Sequence, residues 1–131
     1  MRVWLDDERK PPVGFTWVKT ADEAIALLET GKVEFLSLDH DLADEHYADM
    51  SRSTGFKEKT GYDVVCWLEA TDLWPPLGCA VHSFNPVGRA RMLAVLDRVY
   101  GRHEKVIMSS GFTADVMFDG PNEAVEQYVN G

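Results

Sequence analysis

The residues of this sequence that are best suited to chemistry stand directly after short apolar runs. Asp6 and Asp7 follow the run at positions 2–5, and Asp39-His40-Asp41 follows the run at positions 35–38. Carboxylates are hard oxygen ligands, and in the absence of a thiolate they suit magnesium or manganese better than zinc. We therefore predict a divalent-cation site, with Mg²⁺ favoured and Mn²⁺ as the alternative. Its predicted ligands are Asp6, Asp7, Asp39 and Asp41.

A second group of polar residues follows the apolar run at positions 79–81 and begins with His82 and Ser83. Asn85-Pro86 is a typical helix start, with Asn as the N-cap and Pro at the first helical position. The N-terminus of such a helix is suited to binding phosphate, and so is the guanidinium of Arg89 one turn later. Ser83, Asn85 and Arg89 are therefore predicted to bind a phosphate-bearing ligand opposite the carboxylates.

Two histidines of these groups are candidates for proton transfer, because histidine titrates close to neutral pH. For both His40 and His82 the alternative is a structural histidine with satisfied hydrogen bonds. Side chains alternate along a strand, so Asp39 and Asp41 should point the same way and His40 the opposite way. Asp39 is the stronger candidate of the two carboxylates, because Asp41 falls closer to the loop that leaves the strand.

These groups must be positioned by a sheet, since apolar runs of four to eight residues are typical of buried strands. The runs alternate with helical patterns, such as the capping box Thr20-Ala21-Asp22-Glu23 and the stretch that begins near Gly61. The pattern predicts an α/β fold with a five-stranded parallel sheet and helices on both faces. Pro11-Pro12 prevents a helix after the first strand, so a loop is expected there. The carboxyl ends of the strands are where such folds bind ligands.

Length and composition predict one domain over residues 1–131. Residues 43–60 have no periodicity and are expected to form a long loop beside the site, either a lid or an ordinary insertion. Residues 102–131 are expected to supply the fifth strand, at 105–108, and a C-terminal helix, at 121–129. The stretch between these two elements reads as irregular.

The charge balance limits the partners of the protein. With 22 acidic and 13 basic residues, the formal net charge is −9, which argues against broad binding to a nucleic-acid backbone. A small phosphate-bearing ligand in a metal-filled pocket is compatible with that charge. No apolar run reaches the ~20 residues of a membrane span, and no signal peptide is evident. We therefore expect a cytoplasmic protein, and its oligomeric state is left open.

The acidic pair after the first strand and the Asp after the third resemble the receiver domain of two-component response regulators. That resemblance implies a flavodoxin-like sheet in which Asp6, Asp7 and Asp39 hold magnesium and Asp39 accepts phosphate. Ser83 then stands at the receiver's hydroxyl position. Receivers also carry a lysine at the end of the fifth strand, where this sequence has Ser109-Ser110.

A closer resemblance, over residues 1–100, is to the cyclic-phosphate processing receiver domains. It is carried by four stretches: Leu5-Asp6-Asp7-Glu8-Arg9-Lys10-Pro11-Pro12, Ser37-Leu38-Asp39-His40-Asp41-Leu42, Gly61-Tyr62-Asp63, and Val81-His82-Ser83 with Asn85-Pro86 and Arg91-Met92. The resemblance implies metal-dependent action on cyclic phosphates of nucleotides or on ADP-ribose-like products of RNA repair. Arg9, inside the first stretch, joins the predicted ligand-binding residues.

Three interpretations of the function follow from the sequence. The first is a metal-dependent phosphoesterase that opens a cyclic phosphate. The second is a regulatory module phosphorylated on Asp39, which the missing lysine disfavours. The third is a module that binds a nucleotide or cyclic phosphate without turning it over.

Overall fold

A six-stranded sheet forms the centre of the molecule. The computed structural model describes residues 1–42, 59–107, 111 and 113–119, and the strands lie in the order β2-β1-β3-β4-β6-β5. The first four strands are parallel neighbours, as predicted for a receiver-like fold. The strands are β1 (Arg2–Leu5), β2 (Phe15–Val18), β3 (Phe35–Leu38), β4 (Cys79–Val81), β5 (Arg102–Ile107) and β6 (Thr113–Phe118).

The receiver-like α/β class is confirmed, but the sheet has one strand more than the predicted five. The stretch that reads as irregular in the sequence contains β6, which lies antiparallel between β4 and β5. Its pattern is hard to recognise because the charged Asp115 interrupts an otherwise apolar run. The structure compensates that charge with Arg89 of a neighbouring helix. The predicted fifth strand is thereby moved to the edge of the sheet, where its charged side chains are tolerated.

Three helices connect the strands in the described part of the chain: α1 (Ala21–Glu29), α2 (Gly61–Thr71) and α3 (Pro86–Tyr100). Their starts agree with the sequence. Thr20 caps α1, accepting a hydrogen bond from the backbone N–H of Glu23, and Asn85 caps α3. The loop after β1 replaces a first helix, as the double proline predicts.

The three helices share one face of the sheet, since they pack with Leu5, Leu38 and Val81 in a single apolar cluster. The side chains that alternate with these residues form a second cluster on the opposite face, which includes Trp4 and Phe35. The prediction that helices cover both faces depends on the helix at 121–129, which lies outside the described residues. Residues 43–58 of the predicted long loop lie outside them too.

No helix within the described ranges has both the length and the apolar character needed to cross a membrane.

Gly61 allows α2 to begin against the end of β3. Its N–H donates to the carbonyl of His40 at 3.0 Å, and a Cβ at this position would lie 2.0 Å from the carbonyl oxygen of Asp39. Gly61→Ala must therefore push the helix away from the strand end. We expect a loss of about 2 kcal/mol or more in the free energy of unfolding, measured by urea denaturation. An unchanged unfolding midpoint would contradict this close contact.

Candidate functional site

The candidate site lies where three neighbouring parallel strands end. The strand pairing continues for one residue beyond β3 and β4: Asp39 N–H donates to the carbonyl of Leu5, and His82 N–H donates to the carbonyl of Leu38, each at 2.9 Å. Asp6, Asp39 and His82 therefore follow β1, β3 and β4 in adjacent positions. Their side chains project from the face of the sheet that carries the aromatic cluster, opposite the described helices.

Asp6, Asp7 and Asp39 form the one group of metal-ligand type found among the described residues. Each offers a carboxylate oxygen, and the three oxygens lie within 4.8 Å of one another. Asp39 is buried, and its Oδ2 has no hydrogen-bond partner, although Oδ1 accepts from the N–H of His40 at 2.8 Å. An unpaired carboxylate oxygen beside two further carboxylates fits a hard divalent cation. These residues could therefore hold Mg²⁺ or Mn²⁺.

The electrostatic environment of Asp39 points the same way. Burial and, after it, the nearby charge of Asp6 raise the pKa of Asp39 from 3.8 to about 7, while Arg9 and the hydroxyl of Ser83 oppose the rise. A carboxylate that is costly to ionise alone becomes a good ligand once a cation compensates its charge.

Asp6 differs from Asp39 because it is fully hydrogen-bonded. Burial acts to raise its pKa, but the hydrogen bond from His82 and those from the backbone N–H groups of Arg9 and Glu8 outweigh burial, so the pKa is lowered. The two N–H groups donate to Oδ1 at 2.9 Å, and Nε2 of His82 lies 3.2 Å from Oδ2. Asp6 is therefore ionised and fixed in orientation.

His82 is buried within the aromatic face. Its ring stacks on Trp4 with centroids 3.8 Å apart, and its Nδ1 lies 2.7 Å from the Ser37 hydroxyl. Burial lowers the pKa of His82 despite the opposing effect of Asp6, so the ring is neutral at neutral pH. Because Nε2 faces a carboxylate oxygen, we assign the proton to Nε2, which donates to Asp6; Nδ1 then accepts a hydrogen bond from the Ser37 hydroxyl. The geometry supports a role in orienting Asp6 and gives no support to the predicted proton transfer by His82.

Ser37 is a site residue that the sequence analysis missed. A polar side chain inside the apolar run of β3 was the available signal, since a buried hydroxyl needs a partner.

Ser37→Ala is expected to leave Nδ1 of His82 unpaired and to loosen the orientation of Asp6. Loss of a direct hydrogen-bond partner of a metal ligand typically weakens metal binding about 10- to 100-fold. Ser37 acts on Asp6 one hydrogen bond further out, through His82, so the lower end of that range applies. We expect Mn²⁺ affinity, measured by calorimetry, to fall about 10-fold while the variant stays folded. Unchanged affinity would contradict the orienting role of the Ser37–His82 pair.

Asp41 lies apart from the three carboxylates. The chain bends at His40, so the alternation expected of an extended strand does not continue to Asp41. Its Oδ1 lies 2.8 Å from His40 Nδ1 and accepts from Asn85 Nδ2 at 3.1 Å. All three residues are buried, and Gly88 of α3 packs so closely that a Cβ there would lie 2.3 Å from His40 Cγ. This placement joins β3 to the start of α3 and gives no support to metal ligation by Asp41 or to proton transfer by His40.

The predicted phosphate-binding groups are largely engaged within the protein. The side-chain oxygen of Asn85 accepts from the N–H groups of Val87 and Gly88, so these helix N-terminal amides are already satisfied. Arg89 donates through Nε and Nη2 to Asp115 of β6. The sequence could not reveal that pairing, because it depends on a strand whose position was not recognised.

Arg9 and Ser83 remain beside the carboxylates. Nη1 of Arg9 donates to the carbonyl of His82 at 3.1 Å and lies 3.8 Å from Oδ2 of Asp6. Its guanidinium carbon lies 4.4 Å from the ring centroid of Phe84. Ser83 is buried, with its side chain next to Asp39, and its hydroxyl accepts from the N–H of Asn85. Arg9 thus brings a positive charge to the carboxylate site.

One comparison with known proteins gives a match. The family model described as Cyclic-phosphate processing Receiver domain matches residues 1–98. No curated protein and no solved structure matches the chain.

Proposed function

The chain belongs to the cyclic-phosphate processing receiver domain family, and from that premise we propose that it is a metal-dependent phosphoesterase. Its proposed substrates are cyclic phosphates of nucleotides or of ADP-ribose-type products of RNA repair. The observation that carries the proposal is the group of three carboxylates at adjacent strand ends, one of which has an unpaired buried oxygen. Mg²⁺ is the proposed cofactor, with Mn²⁺ as a substitute.

The proposal assigns the cation to Asp6, Asp7 and Asp39. When bound there, the cation supplies charge stabilisation at a phosphate oxygen during ring opening. The chain supplies the fixed geometry, because Asp6 is held by two backbone N–H groups and by His82. Such preorganisation places the ligand oxygens before the substrate arrives.

Arg9 is the proposed phosphate-binding residue of the chain. Its guanidinium lies beside Asp6 and is anchored through Nη1 on the carbonyl of His82. A guanidinium matches the geometry of phosphate oxygens and keeps its charge at all working pH values. We assign it to binding and orienting the cyclic phosphate, with the Ser83 hydroxyl beside Asp39 as a second polar contact.

Phosphorus NMR tests the proposed activity. The protein is mixed with 2′,3′-cyclic nucleotides and an ADP-ribose cyclic phosphate, each with Mg²⁺, Mn²⁺ or chelator. We expect a new monoester resonance that depends on the metal and identifies the bond that opens. In the Mg²⁺ samples, cyclic-phosphate signals that only shift or broaden would contradict catalysis and indicate a binding module.

A phosphoryl-accepting switch is the second candidate, favoured by the position of Ser83 next to Asp39 as in receiver domains. It predicts an aspartyl-phosphate after incubation with a small phosphodonor and magnesium, detectable by intact mass. Absence of the adduct together with turnover of a cyclic phosphate would exclude it in favour of the enzyme.

A further inference from the structure

Phe84 is the most exposed aromatic side chain in the described part of the chain, with 61% of its surface open to solvent. Exposed apolar residues are common and need no explanation singly. Phe84 is distinguished by its place, because it follows Ser83 directly and so stands at the edge of the carboxylate site.

The backbone of Phe84 is fixed on both sides. Ser83 and Asn85 are buried, and the N–H of Asn85 donates to the Ser83 hydroxyl at 3.1 Å. Asn85 is also the cap of α3, which ties it to the helix. The two buried neighbours therefore fix the position of the Phe84 backbone at the edge of the site.

Arg9 connects the ring to the site. Its guanidinium lies over the Phe84 ring and also beside Oδ2 of Asp6, so one planar group spans the gap between ring and carboxylate. A phosphate bound by Arg9 would therefore have an aromatic surface within the reach of a nucleoside attached to it. Aromatic side chains beside a phosphate-binding cation are the usual platform for an unpaired base.

We propose that Phe84 stacks on the base of the ligand, so that the site selects cyclic phosphates carrying a planar ring over base-free ones. This inference rests on the proposed function and adds to it the residue that contacts the base. Every base presents a flat face, so an aromatic ring can stack on any of them. We therefore expect Phe84 to favour ligands that carry a base, whichever base it is.

Adenosine 2′,3′-cyclic phosphate and methyl riboside 2,3-cyclic phosphate, which has no base, test the inference. Because the proposed enzyme opens cyclic phosphates in Mg²⁺, the affinity for each ligand is taken from the concentration dependence of the initial rates, followed by phosphorus NMR. Calorimetry replaces the rates for a ligand that stays intact. We expect Phe84→Leu to lower the affinity for the nucleotide about 5- to 100-fold and to leave the affinity for the base-free ligand unchanged. Phe84→Trp should retain nucleotide affinity. Leu73→Ala, at an exposed apolar residue after α2, is the matched control and should change neither ligand.

Each remaining outcome overturns the inference in a recognisable way. Equal weakening of both ligands would show that Phe84 acts only by supporting Arg9. Equal affinity of the unmodified protein for both ligands would contradict stacking of Phe84 on the base, but it would not contradict the proposed function. Failure of the unmodified protein to bind either ligand would contradict both the proposed function and the stacking of Phe84 on the base.

Discussion

Asp39→Asn is expected to abolish metal-dependent opening of cyclic phosphates while the protein remains folded. The substitution keeps the size of the side chain and removes the charge that the cation needs. Loss of a partner that only orients a metal ligand typically costs about 10- to 100-fold in affinity or activity, so loss of a ligand should cost more than about 100-fold. Initial rates from phosphorus NMR measure the effect at saturating Mg²⁺.

The control for this variant is Asp72→Asn, which alters an exposed acidic residue that ends α2 with a left-handed backbone. Asparagine tolerates that conformation, and the control should keep full activity. Activity of Asp39→Asn within a few-fold of the unmodified protein would exclude Asp39 as a required ligand.

The same substitution should stabilise the metal-free protein at alkaline pH. Asp39 keeps its proton up to about pH 7 in the folded state, whereas in the unfolded chain it ionises near its ordinary pKa of 3.8. The folded state therefore binds more protons between these values, and its stability falls as pH rises through that window. Each pKa unit corresponds to about 1.4 kcal/mol, so the effect reaches roughly 4 kcal/mol above pH 8.

Urea denaturation with chelator at several pH values measures this effect. The free energy of unfolding of Asp39→Asn should exceed that of the unmodified protein by up to roughly 4 kcal/mol above pH 8, with the gap closing near pH 4. Saturating Mg²⁺ should reverse the order, because only the unmodified protein gains binding energy. If the difference in the free energy of unfolding between the two proteins does not change with pH, the pKa of Asp39 is not raised in the folded state.

Local patterns were sufficient to predict the centre of this fold. The runs before Asp6, Asp39 and His82 identified the three strands, and parallel pairing then brought their ends together. The caps at Thr20 and Asn85 were also readable, because capping depends on residues within one turn.

The features that could not be predicted depend on contacts between distant parts of the chain. The strand β6 was obscured by Asp115, whose charge becomes acceptable only beside Arg89. That same pairing engages Arg89 within the protein, so phosphate binding by Arg89 stays a prediction. The bend at His40 similarly separates Asp41 from Asp39, although their spacing in an extended strand predicts a common direction.

The surroundings of His82 show a second reason why sequence alone could not predict the role of this residue. Its residue type and its position after an apolar run identified His82 as a candidate for chemistry, but only the fold reveals that both ring nitrogens have hydrogen-bonding neighbours and that Trp4 covers the ring. A histidine at a strand end supports either a reactive or an orienting role until its neighbours are known.

Titration of the chelator-treated protein with Mn²⁺ at pH 8, followed by electron paramagnetic resonance, tests the metal centre most directly. The account predicts one bound ion per chain, loss of that binding in Asp39→Asn, and competition by Mg²⁺. Retained binding in Asp39→Asn, or no binding by the unmodified protein, would contradict the assignment of the cation to Asp6, Asp7 and Asp39.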